Sequence, residues 1–134
     1  MRSRQHKELK RNYQQTPRPL GVFLIRNTVT DKVFLAAGID LAGAINRHKY
    51  QLANDCHANR KLQQDWNKLG ADKFAFEIVE QLEPLKDPSF NARRELQFME
   101  KMWLERLKPF GEQGYNQKNL TRAEKLKRIA RRTE

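Results

Sequence analysis

A single cysteine in 134 residues, Cys56, excludes an internal disulfide and a zinc site built from cysteines. One reduced thiol fits a cytoplasmic protein. Runs of apolar residues long enough to cross a bilayer, ~20 in a row, are also missing. The first fifteen residues, MRSRQHKELKRNYQQ, are polar throughout and lack the apolar core of a secretory leader. A membrane is therefore not among the expected partners. The six glycines form no phosphate-cradling loop, and there is no HExxH and no Gly-x-Ser-x-Gly. A nucleophilic Cys–His pair would need Cys56 with a base other than its neighbour His57, and nothing supplies one. Repeats and low-complexity stretches are absent as well.

What the chain does have is positive charge, concentrated at its ends. The formal net charge is +11. Residues 1–19 hold six Lys/Arg and one acid, and residues 118–134 hold seven and two, so each end carries +5. Residues 20–117 hold 14 and 13 and are almost neutral. This divides the chain into a basic N-terminal helix and linker (1–19), a body (20–117) and a basic C-terminal tail (118–134). Terminal basic arms commonly meet nucleic acid phosphates, although an acidic protein partner would fit the same charge. The cations expected to touch phosphate are Arg47, Lys49, Arg60 and Lys61 in the body, with Lys118, Arg122, Lys125, Lys127, Arg128, Arg131 and Arg132 in the tail.

Periodicity gives an α+β pattern. Residues 3–15 read as a helix, stopped by Pro17 and Pro19. Two β-rich runs, 22–26 and 32–37, flank NTVTD and predict a hairpin. Asp40 is placed to cap a helix over 41–53, with Leu41, Ile45, His48 and Leu52 on one stripe. A helix over 59–69 ends at Gly70. FAFEIVEQL alternates as a strand, with Phe74, Phe76 and Ile78 on one face. A long helix over 91–107 follows. The tail begins with Thr121 and Glu124 at capping-box spacing. A small three-stranded antiparallel sheet flanked by helices accommodates these elements.

Three side chains stand out chemically. Glu100 lies beside Met99 on the apolar stripe of the long helix, in register with Leu96 and Leu104, and no Lys or Arg occupies i±4. It is either a carboxylate at the rim of the stripe or one kept for a metal or hydrogen bond. His48 lies one turn after Ala44 on the same helix face and reads as a backbone-satisfied histidine or a functional one. His57 in NDCHANR reads as a surface or a site histidine.

In order and spacing these segments resemble the GIY-YIG nuclease family. GVFLIRNTVTDKVFLA stands where that family has its paired GIY and YIG strands. INRHKYQL and CHANRKLQQDWNKLGADKFAFEIVEQL resemble its middle helices and third strand, and EKMWLERLKPFGEQGYN its glutamate-bearing helix and closing Gly-Tyr-Asn. The resemblance spans about residues 20–117. It implies a metal-dependent cleavage of phosphodiesters, in which a tyrosine helps deprotonate water, a second tyrosine orients the site, an arginine stabilises phosphate charge and a glutamate holds Mg²⁺.

Position by position the resemblance also implies losses. The two motif tyrosines correspond to Phe23 and Phe34, the glycine of the second motif to Ala36, and the arginine to Ala44. His48, His57, Glu100, Gly114, Tyr115 and Asn116 match family residues. Phenylalanine cannot relay a proton, and losing one preorganised charge typically costs roughly 10²–10³ in rate. The expectation is a degenerate domain that binds nucleic acid, DNA rather than RNA, with little or no cleavage. Mg²⁺ or Mn²⁺ at Glu100 is the candidate cofactor. One alternative is a slow endonuclease using Glu100, with His48 or a metal-bound hydroxide as base and Arg47 in place of the missing guanidinium. The other is a protein-interaction module.

Overall fold

The computed structural model describes residues 18–117. The predicted helix over 3–15 and the tail from Lys118 onward lie outside the described residues. Three strands, β1 (Leu20–Asn27), β2 (Val33–Gly38) and β3 (Phe74–Leu82), form one antiparallel sheet in the order β2-β1-β3. Three helices, α1 (Leu41–Ala53), α2 (Arg60–Leu69) and α3 (Ala92–Leu107), complete the fold. This is the expected α+β architecture.

The central strand explains the layering. In β1 both faces must be covered, so LGVFLI runs nearly without a polar residue. Its alternate side chains feed two cores. Phe23 and Ile25 point to one face with Leu41, Ala44, Leu52, Leu62 and Phe74, where α1 and α2 pack. Leu20, Val22 and Leu24 point to the other with Val33, Leu35 and Met99, where α3 packs. α3 presents Leu96, Met99, Trp103 and Leu107 to that core.

Local chemistry fixes the element ends. The Asn27 side-chain oxygen accepts from the N–H groups of Val29 and Thr30, and Asp31 takes a positive φ of 65°, which closes the β1–β2 turn. Asp40 caps α1 by accepting from Gly43 N–H and also pairs with Arg18 at 2.6 Å. Asn59 and Asn91 cap α2 and α3. Gly70, at φ 97°, ends α2.

The alternation read from β3 holds: Ile78 pairs with Phe23 on the α1–α2 face and lines a groove with Leu41 and Ile45 of α1. It is 54% exposed, because on this edge strand only Phe74 and Phe76 reach the α1–α2 core. The register breaks beyond it, in a bulge opposite Val22 and Phe23. No described helix is long and apolar enough to cross a membrane.

Candidate nucleic-acid site at the β2 edge

Four rings meet on the α1–α2 face of the sheet. Phe23 comes from β1, Phe34 from β2, His48 from α1 and His57 from the turn before α2. Ring centroids lie 5.3 Å apart for Phe23–His48, 5.9 Å for Phe34–His48 and 5.5 Å for Phe34–His57, with edge-on geometry for the first and third. The histidines are bonded to each other, Nδ1 of His48 to Nε2 of His57, at 2.8 Å.

Local structure holds His57 firmly. It is 5% exposed. Its backbone N–H donates to Gln63 Oε1, and its Nδ1 accepts from the Asn59 backbone N–H at 3.0 Å. Gln63, itself buried, donates to the Leu52 carbonyl and so ties α2 to the end of α1. Burial lowers the pKa of both rings, His48 to about 4 with further lowering from His57 and from the Arg47 charge. Both are neutral at pH 7.

Two of the positions expected to carry catalytic groups are closed. Phe23 is 0% exposed and Ala44 4%. A Cβ added to Gly38 would lie 2.5 Å from the Ala44 methyl, so α1 sits unusually close to the end of β2. Ala36 is buried in the same core. Arg47 is exposed whereas Ala44 is buried, so the guanidinium does not fill the place of the Ala44 side chain. Lys49 lies with its ammonium 5.0 Å from the Phe76 ring centre, and Arg60 and Lys61 are exposed at the start of α2.

The closing Gly-Tyr-Asn segment seals the β2 edge. The Tyr115 N–H donates to the Val33 carbonyl, and the Asn116 amide bonds both the N–H and the carbonyl of Leu35, at 2.8 and 2.9 Å. Gly114 has no room for a Cβ, which would meet the Pro109 carbonyl at 2.3 Å. The Tyr115 hydroxyl accepts from Asn27 and donates to Asp65 at 2.6 Å; burial and that carboxylate push its pKa up to about 12. The Asn59 side chain donates to the Tyr115 carbonyl at 2.6 Å while capping α2. Asn27, Asn59, Gln63 and Asp65 do not stand out in the sequence as site residues. Asn27 carries a local signal only as a turn residue and Asn59 only as an N-cap, and the contacts of Asn27, Asn59 and Asp65 to Tyr115 lie 50 to 88 positions along the chain.

Beyond that edge, Glu100 lines an open groove of about 880 Å³ with Leu104, Lys108, Phe110 and Asn116. Burial raises the pKa of its carboxyl, which has no hydrogen-bond or ion-pair partner among the described residues. No cluster of three or more His, Cys, Asp and Glu side chains gathers among the described residues. A lone half-buried carboxylate nonetheless suits Mg²⁺, which takes one or two carboxylates and keeps several waters. Glu100 would hold such an ion, and the ion would offset charge on a phosphate. Glu100 and the histidine pair belong to opposite faces of the sheet, joined at the β2 rim by Phe34, Leu35 and Asn116.

No family model matches the chain. Over 67 residues, half of the chain, it is 34% identical to "Intron-associated endonuclease 1" of Enterobacteria phage T4, and the match spans 27% of that relative's length. Among solved structures it is similar to the catalytic domain of the homing endonuclease I-TevI, with TM-score 0.60 and 29% identity, covering 75% of this chain and 99% of that one. A mutant of the same domain, with one glutamate replaced by alanine, gives TM-score 0.61 and 26% identity over 77% of this chain and 97% of that one. The strand order, the flanking helices and these similarities together show that the chain carries a GIY-YIG-like domain.

Proposed function

We propose that the chain is a degenerate GIY-YIG-like module that binds nucleic acid, DNA in preference to RNA, and cleaves it little or not at all. The observation that carries this reading is the ring cluster. Phe23 and Phe34 put hydrocarbon against the histidine pair where the resemblance places two hydroxyls, and Ala44 is buried where it places a guanidinium. The basic ends, residues 1–19 and 118–134, supply the grip on phosphate, helped by Arg47, Lys49, Arg60 and Lys61. Its relatives are named as endonucleases, and the proposal takes the partner from them without the reaction.

The test combines a gel shift with a plasmid nicking assay on the same preparation. The expected result is a retarded duplex at about 50 mM salt, weakening steeply as salt rises, with Mg²⁺- or Mn²⁺-dependent nicking no greater than that of Glu100→Ala. Nicking by the unmodified chain that disappears in Glu100→Ala would overturn the reading. It would favour the slow, metal-dependent endonuclease, which the unpartnered Glu100 carboxylate supports. Failure to retard DNA or RNA at low salt would favour a protein-interaction module instead.

A further inference from the structure

The hydrogen bonds around His57 fix where the protons of both histidines sit. The Asn59 backbone N–H donates to His57 Nδ1 at 3.0 Å, so that nitrogen carries a lone pair and no proton. A neutral His57 then holds its proton on Nε2. Nε2 faces His48 Nδ1 at 2.8 Å, so His57 donates and His48 accepts. His48 Nδ1 is thereby occupied as an acceptor, and the single proton of the neutral His48 ring resides on Nε2. The sequence of donors is Asn59 N–H to His57, His57 to His48, and His48 Nε2–H outward. Every step follows from one backbone donor held in place by the start of α2.

His48 Nε2 has no partner among the described residues, and no side-chain nitrogen or oxygen that is fully buried lacks one; Nε2 therefore reaches solvent. It offers a proton and no free lone pair, so in this state it cannot act as a general base. The surroundings favour an anionic acceptor. Arg47 lies close enough for its charge to act on the ring, and Arg60 and Lys61 follow directly on Asn59. The closest acids in sequence, Asp55 and Asp40, already accept from Asn67 and from Gly43 and Arg18, and Asp65 accepts from Tyr115. His48 also lies four residues after Ala44, on the same side of α1 and one turn further along.

We propose that His48 is a phosphodiester-binding residue, a neutral Nε2–H donor to a non-bridging phosphate oxygen, and that His57 is the positioning residue that holds it in this tautomer. The proposal rests on the nucleic-acid reading above and deepens it. His48 takes the anion-binding task that Ala44 leaves undone and leaves the proton-accepting task unfilled.

The experiment is a ¹⁵N imidazole NMR measurement on the full chain at pH 7, first free and then titrated with dimethyl phosphate, the smallest phosphodiester. Both rings are expected as neutral Nε2–H tautomers, with the His48 Nε2–H signal moving on titration and the His57 signals nearly still. A His48 ring protonated on Nδ1, or an unmoved His48 signal at saturating probe, overturns the proposal. Gel shifts with duplex DNA form the second arm. His48→Ala should weaken binding by roughly tenfold, the scale of one hydrogen bond to a charged group, whereas His48→Gln, which keeps an N–H donor and has no basic nitrogen, should stay within about twofold. Equal binding by the Ala variant overturns the role of His48 and leaves the nucleic-acid reading standing. No retarded duplex for any variant, with the dimethyl phosphate response intact, overturns that reading and leaves the anion site standing.

Discussion

Phe23 and Phe34 occupy matching places in the family resemblance but different physical settings here. Phe23 is wholly buried, so a hydroxyl added at its para position must find a partner in a close-packed core. Phe23→Tyr should destabilise by about 1–3 kcal/mol if the hydroxyl stays unsatisfied. Phe34 is only partly buried, and Phe34→Tyr should fall within about 0.5 kcal/mol. Thermal melts of the two variants check the contrast, and equal shifts would contradict it. His48 makes a separate prediction. Its folded pKa of about 4 lies below the ordinary 6.5, so the unfolded chain binds a proton between those values that the native ring refuses. Stability should then rise with pH across that window and lose this dependence above it. Melts from pH 4 to pH 7 should show the slope, reduced in His48→Gln; Asp40, whose pKa is lowered by its cap bond to Gly43 and by Arg18, adds a further slope of the same sign at the acid end. At this scale the sequence reveals that Glu100, His48 and His57 are unusual. It does not reveal that His48 and His57 bond to each other, because nine positions separate them and the bond depends on how α1 and the turn before α2 pack.

The elements themselves are largely legible. The ranges 41–53 and 74–82 read from periodicity coincide with α1 and β3, because Asp40 caps the first and the alternation of Phe74 and Phe76 marks the second. The exposure of Ile78 is not legible, since how far α1 reaches across the β3 edge is a property of the two elements together. The closing segment shows the same limit. Gly114, Tyr115 and Asn116 are recognisable as a motif, but its work is done by hydrogen bonds to β2, β1 and α2. Asn116→Ala would leave both main-chain groups of Leu35 without the partner they have now. It should cost about 1–3 kcal/mol, and faster amide exchange at Leu35 is the measurement that ties the loss to this edge.

Across the whole molecule, charge and core are separated. The body is nearly neutral and holds both cores, and the ends hold most of the net positive charge. If the tail anchors the complex, removing residues 118–134 should flatten the dependence of log K on log salt by about 0.9 for each phosphate that the tail neutralises on duplex DNA. An unchanged slope would remove the tail from the interface. The spacing between the layers has a consequence of its own. Gly38 lets the Ala44 methyl approach to where a second methyl could not stand, so this one absent carbon sets how high α1 rides above β2. Gly38→Ala would act as a shim under the helix. His48 rides on the same helix one turn further on, and its bond to His57 has little slack at 2.8 Å. A hydrogen atom exchanged for a methyl, at a residue with no chemistry, would then uncouple the histidine pair and free the His48 proton to move to the other nitrogen.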